Sequence, residues 1–265
     1  MTAAVKTKPA RIVRFAAQFG SAYGIVEEDT VFALVGDPFA EFRRGDAVAQ
    51  LRSVRLLPPV RPSKVILTGY NYAGHAEELA KTQPQDPLIF LKAPSALIGD
   101  GSDVVFPNGA EHVSYEGELV VVIGRRCAKV SPDDALGYVL GYTCGNDITD
   151  RDLQKKDVQY ARAKSFDTFG PLGPWIAIGL DPTDVQIVSR LNGEVRQNSR
   201  TSLLIHSPAK LVSWASHAMT LNPGDVIFTG TPKGVGVIAP GDCIEIEIEG
   251  IGTLRNRVVA EGVAA

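Results

Sequence analysis

Apolar residues in this chain gather in short runs rich in valine, isoleucine and aromatic side chains, each closed by glycine, proline, aspartate or asparagine. That rhythm predicts strands joined by tight turns. The runs 11–19, 23–26 and 30–35, divided by Gly20-Ser21 and Glu28-Asp29, predict a small antiparallel meander. Residues 37–45 read as a loop or a short helix. Further strands are expected at 64–68, 87–92, 103–106, 112–123, 139–147 and 226–228. Segments 185–192 and 194–197 flank Asn192-Gly193, a dipeptide suited to a two-residue hairpin turn. Residues 244–249 alternate strictly, so their glutamates should face solvent. Gly170 to Trp175 reads as a stiff turn before a strand.

Helical signals are few. Ser207-Pro208 opens an amphipathic helix over 207–219, Ser131-Pro132 starts another, and a short helix runs from His75 to Lys81 until Pro84. The pattern therefore predicts a mainly β protein with short helices, of α+β type. Pro58, Pro59 and Pro62 interrupt regular structure and mark a boundary. The expected organisation is a small N-terminal β domain over residues 1–60 and a catalytic domain over 61–265.

Composition narrows the function. The 265 residues are 45% hydrophobic and 22% charged, ordinary for a globular protein, and the net charge of −3 with no basic stripe argues against a nucleic-acid partner. The N-terminal residues lack the apolar core of a signal peptide and no run is long enough to span a membrane, so a cytoplasmic protein is expected. Cys127, Cys144 and Cys243 are odd in number and far apart, which suggests neither a disulfide framework nor a thiolate zinc site.

Candidate chemistry begins at the entrance to the 112–123 run. Glu116 and Glu118 are two apart, so on a strand they share a face. Burial and mutual repulsion would force a proton onto one of them, a penalty that a hard divalent cation removes by bonding both. The alternative is a solvated strand end. His75 and Glu78 are neighbours on the short helix, where a carboxylate beside an imidazole builds a general base, or simply an exposed polar face.

Lys92 closes its strand and either meets an anion there or lies on the surface. If a helical turn starts at Asp147, then Asp147, Arg151 and Gln154 share one face, combining a metal ligand, a carboxylate-binding fork and an amide. Lys164 is the next cation, suited to stabilising an enolate or binding a carboxylate. The glycine-rich loop 229–236, with Gly230 and Thr231, exposes N–H groups to a carboxylate or oxyanion but has no nucleotide-binding pattern. His206 and His217 read as structural.

These motifs, in this order, resemble the fumarylacetoacetate hydrolase superfamily. They are Glu116-x-Glu118, Gly145-Asn146-Asp147 through Arg151, Ala163-Lys164-Ser165-Phe166-Asp167, Leu191-Asn192-Gly193 and Thr229-Gly230-Thr231-Pro232-Lys233-Gly234-Val235-Gly236. The resemblance covers roughly residues 60–260. It implies a rolled β-sandwich or barrel catalytic domain, usually a homodimer, with Mg²⁺ or Mn²⁺ held by Glu116, Glu118 and Asp147. It also implies a His75–Glu78 dyad on a lid helix, with Lys164, Arg151, Gln154 and Thr231 around the substrate. Members act on 2-oxo acids bearing a second carbonyl or enol, where the metal stabilises the enolate of cleavage, decarboxylation or tautomerisation.

Segments 151–157 and 162–167 most resemble members acting on 2-hydroxyhepta-2,4-diene-1,7-dioate (isomerase) or 5-oxopent-3-ene-1,2,5-tricarboxylate (decarboxylase). The expectation is a metal-dependent enzyme of that type, acting on 2-oxo or 2-hydroxydienoic dicarboxylic acids in aromatic-compound catabolism. Its rivals are an acylpyruvate C–C hydrolase, an oxaloacetate decarboxylase and, from another class, a non-catalytic 2-oxo acid binder.

Overall fold

A computed structural model describes residues 10–74 and 85–262 of the chain. His75, Glu78 and the short helix expected around them lie outside the described residues. The protein is mostly β, with short helices. Its largest sheet runs, edge to edge, through Phe42–Gln50, Thr30–Gly36, Gly20–Glu27, Ala10–Ala17, Gly170–Ile178, Val139–Asn146, Gly117–Ile123, Val226–Phe228, Val65–Gly69 and Leu88–Lys92. A five-stranded sheet orders Glu194–Arg200, Gln186–Leu191, Cys243–Ile248, Gly252–Ala260 and Val104–Phe106. A third, small sheet joins Thr149–Asp150, Val113–Tyr115 and Gly236–Val237.

The Gly117–Ile123 strand is buried on both faces, which explains its continuous apolar run. On one side Leu119, Val121 and Ile123 pack with Ile187, Ile244, Ile246 and Leu254 of the five-stranded sheet. On the other, Val120 and Val122 pack with Val65, Leu67, Leu172, Ile176 and Phe228. Each such side chain contributes about 1.5–3 kcal/mol through burial, so this strand is a rigid base for whatever stands at its end.

Several expectations hold. Runs 11–35 form the meander, the hairpin turns at Asn192-Gly193, and Pro208–Ala218 is a helix whose cap, Ser207, accepts from the Lys210 N–H. The 244–249 alternation buries its isoleucines, while Glu245 meets Arg255 and Glu247 meets Arg190.

Other expectations need correction. Residues 42–50 form an exposed edge strand with two register shifts against Thr30–Gly36; it buries no residue, so no apolar alternation marks it. Gly170 to Trp175 is not a turn but the first part of the Gly170–Ile178 strand; its two prolines lack ladder donors, and a register shift against Val139–Asn146 falls where Pro174 lies. The 112–123 run is two strands, broken at Glu116. Asp147 precedes the helix, which spans Arg151–Lys156 and is capped by the Asp150 carboxylate accepting from the Asp152 and Leu153 N–H groups. No described helix is long and apolar enough to cross a membrane.

Candidate active site

The break at Glu116 creates the site. There the chain leaves the small sheet and enters the large one, and the two backbones that cross are tied together: Asp147 N–H donates to the Glu116 carbonyl (2.9 Å) and Glu116 N–H to Asn146 Oδ1 (2.9 Å). Glu116, Glu118 and Asp147 consequently point into one cleft, each offering an oxygen within 4.8 Å of the others, and all three are buried. Thr68, Gly69, Tyr70, Phe90, Arg151, Gln154, Tyr160, Lys164 and Thr231 complete its lining.

Three cations face the three carboxylates. Lys164, 2% exposed, donates to Glu116 Oε2 (3.0 Å), Thr149 Oγ1 (2.9 Å) and Asp147 Oδ2, which uses all three ammonium hydrogens. Burial opposes its charge, yet Asp147 and Glu116 outweigh that and hold its pKa above the usual lysine value. Arg151 is fixed by bonds from Nε to Ser114 (2.6 Å), Nη1 to Gln154 Oε1 (2.9 Å) and Nη2 to Glu116 Oε1 (2.6 Å), which leaves a donor on each Nη for a ligand. The expected helical face of Asp147, Arg151 and Gln154 is thus replaced by a strand-to-helix turn that brings the same three residues together.

Lys92 is fully buried, which removes the surface reading. Its ammonium stands 2.7 Å from Asp147 Oδ1 and donates to the carbonyls of Phe169 and Ile148, so the anion at its strand end is the protein's own carboxylate. Burial pulls its pKa below the usual lysine value, against the attraction of Asp147. Gly230 likewise spends its N–H on Glu118 Oε2 (2.6 Å), and a Cβ there would meet the Asn71 Cβ at 2.8 Å. Thr231 lines the cleft while its hydroxyl donates to the Gly117 carbonyl (2.8 Å).

Glu118 has no cation bonded to it in the described structure. Burial first, then the charges of Asp147 and Glu116, push its carboxyl well above the usual carboxylate range. Asp147 Oδ1 is buried and accepts no hydrogen bond in good geometry, despite the nearby Lys92 ammonium. A buried all-oxygen donor set whose three carboxylates crowd together, one of them with no cation bonded to it, fits a hard divalent cation.

Sequence reasoning passed over Tyr70 and Tyr160. Tyr70 adopts a left-handed backbone (φ 54°), a strained conformation that non-glycine residues keep where the surroundings impose it. Its hydroxyl is pushed up to about 12 by burial and by hydrogen bonding with Tyr160, whose ring stands edge-on to Phe90 at 5.2 Å. The available signal was position alone: Gly69-Tyr70-Asn71 follows the carboxyl end of a strand paired in parallel with Val226–Phe228. His206 is structural, its N–H donating to the buried Asn71 side chain. A larger cavity, about 960 Å³, is lined by Arg52, Arg55, Asp100, Asp103 and Trp175, but it contains none of the three carboxylates, and the buried charges assign the chemistry to the smaller cleft.

A β-rich chain whose sheets surround three buried carboxylates, flanked by lysine and arginine, offers an all-oxygen site that could hold a divalent cation. The family described as Fumarylacetoacetate (FAA) hydrolase C-terminal matches residues 64–259, and the chain belongs to it; a second family, Rv2993c-like, N-terminal, matches residues 10–59. The crystal structure of 5-carboxymethyl-2-hydroxymuconate delta-isomerase from Mycobacterium smegmatis superposes with a TM-score of 0.89 at 48% identity, covering 95% of this chain and 100% of that one.

Two relatives carry activities in their names. The 4-hydroxyphenylacetate degradation bifunctional isomerase/decarboxylase of Salmonella dublin is 46% identical over 73% of this chain and 46% of its own. The mitochondrial oxaloacetate tautomerase FAHD2A of Bos taurus is 40% identical over 77% of this chain and 69% of its own.

Proposed function

We propose that this protein is a divalent-metal-dependent enzyme that isomerises or decarboxylates 2-oxo or 2-hydroxydienoic dicarboxylic acids of aromatic catabolism, with Glu116, Glu118 and Asp147 holding Mg²⁺ or Mn²⁺. The observation that carries the reading is the convergence of those buried oxygens, within 4.8 Å of one another, beside a guanidinium with donors to spare. The isomerase, decarboxylase and tautomerase names of the relatives support it. When bound, the metal supplies Lewis acidity toward the carboxylate and 2-oxo oxygens of such an acid.

The chain's own residues do the rest. Arg151, fixed by Ser114, Gln154 and Glu116, grips a substrate carboxylate. Lys164 keeps Glu116 and Asp147 in place and its positive charge near any developing enolate. Lys92 and Gly230 act through Asp147 and Glu118. Tyr70, Phe90 and Tyr160 wall one side of the cleft and exclude water. His75 and Glu78, outside the described residues, are assigned as the dyad that draws a proton from water or substrate. The working unit is taken to be a homodimer.

Cleavage of an acylpyruvate by hydrolysis is the second reading, favoured by the family's own hydrolase description. The two differ in their need for an activated water. His75→Ala is expected to abolish acylpyruvate hydrolysis at saturating Mg²⁺ while leaving oxaloacetate decarboxylation measurable by ultraviolet absorbance. Equal loss of both activities would contradict this division of roles.

A further inference from the structure

Behind the two glutamates lies a buried amide with no part in the chemistry assigned above. Gln197, on the Glu194–Arg200 strand of the five-stranded sheet, is 0% exposed. Its Oε1 accepts from the Gly117 N–H (3.1 Å) and the Ser189 hydroxyl (2.6 Å). Its Nε2 donates to Thr231 Oγ1 (2.8 Å) and to the Pro232 carbonyl (2.7 Å). The Thr231 hydroxyl in turn donates to the Gly117 carbonyl (2.8 Å).

Both polar groups of the Gly117 backbone are therefore held in one closed circuit, and Gly117 is the residue between Glu116 and Glu118. Fixing the peptide planes on either side of it fixes the directions in which the two carboxylates leave the chain. The approach demands glycine: a Cβ at position 117 would stand 2.2 Å from Ser189 Oγ and 3.1 Å from Gln197 Oε1. It also demands an amide, since two acceptor sites and two donors are all in use. A carboxylate would lose both donors and add a buried negative charge, and an apolar side chain would strand the Gly117 N–H.

The geometry points to Gln197 as the positioning residue of the carboxylate cluster, setting the separation of Glu116 and Glu118 and coupling it to Thr231 in the loop that follows Val226–Phe228. The inference rests on the reading that this cluster binds a divalent cation. The test is calorimetric titration of the EDTA-stripped protein with MnCl₂, alongside amide hydrogen exchange of the metal-free protein over residues 113–123 and 226–234.

Gln197→Met is expected to weaken Mn²⁺ binding about 10–100-fold, the range found when groups supporting metal ligands are lost, and to speed exchange in both segments but not in the 10–36 meander. A residue that merely fills the core would lower the melting temperature yet leave the Mn²⁺ affinity of the folded protein within about twofold of wild type, and that result would overturn the proposal. Should Gln197→Met not fold, Thr231→Val cuts the same circuit without adding charge and must weaken Mn²⁺ in the same direction. Glu118→Gln serves as the control and is expected to bind Mn²⁺ far more weakly than wild type: a wild-type protein that takes up no Mn²⁺, or a Glu118→Gln protein that binds it as tightly as wild type, sinks the metal reading and this inference with it, whereas equal binding by wild type and Gln197 variants sinks this inference alone.

Discussion

At the scale of single residues, the signs of the charges around the cleft predict opposite effects for two substitutions. Glu118 is repelled by Asp147 and Glu116 and penalised by burial, so in EDTA Glu118→Gln should be at least as stable as wild type. Lys164 neutralises Glu116 and Asp147, so Lys164→Met should lose about 3–5 kcal/mol, the cost of leaving buried charge unpaired. Urea unfolding in EDTA measures both. Adding Mn²⁺ to a hundred times its dissociation constant should stabilise wild type by about 2.7 kcal/mol and Glu118→Gln by much less. A Glu118→Gln protein that gains as much as wild type would show that the cation binds elsewhere. The glutamate pair was legible in the sequence because carboxylates at the mouth of an apolar run have few inexpensive surroundings. Gln197, Tyr70 and Tyr160 were not, because their meaning depends on which distant strands the fold sets beside them.

At the scale of elements, one side chain joins two segments far apart in sequence. Asp225 accepts from Ser63 N–H (2.9 Å), Ser63 Oγ (2.7 Å), Lys64 N–H (3.1 Å) and Asn222 N–H (2.7 Å), and pairs with the Lys64 ammonium, fastening the turn before Val226–Phe228 to the entrance of Val65–Gly69. These are the parallel strands whose ends carry Gly230, Thr231 and Tyr70. Burial alone would raise the Asp225 pKa, but those bonds outweigh it and hold the carboxyl below its usual value. Its stabilisation is therefore complete above the unfolded value of about 3.9 and is lost as pH falls through the lower folded value. Asp225→Asn turns an NH₂ group toward donors and should cost on the order of 3 kcal/mol at pH 7. Denaturant unfolding should show the gap between the two proteins closing below about pH 4, and a gap independent of pH would contradict this account. The sequence made most strands legible through their runs of β-branched residues. It hid the Phe42–Gln50 edge strand, which buries no residue, and the start of Gly170–Ile178, where prolines look like a turn.

At the scale of the whole molecule, the N-terminal meander is hydrogen-bonded into the large sheet. Ala10, Arg11 and Ile12 pair with Ile178, Ala177 and Ile176, and Ile12 packs with Leu172 and Ile176. Removing residues 1–59 would expose an edge of Gly170–Ile178 and part of that core. The shortened protein should melt roughly 10 °C or more below wild type, as expected for several kcal/mol lost in a chain of this size, and should self-associate on size exclusion. An unchanged melting temperature would instead mark residues 1–60 as an independent domain. The β-rich class and the convergence of Glu116, Glu118 and Asp147 could be argued from motif order, whereas the passage from the small sheet to the large one at Glu116 follows from long-range pairing that no local pattern encodes. The most direct test of the central claim is the rate of oxaloacetate conversion above the metal-only background, for wild type and Glu118→Gln, in Mg²⁺ and in EDTA. The account predicts turnover by wild type with Mg²⁺ alone among the four conditions; turnover that survives EDTA or the loss of Glu118 would contradict it.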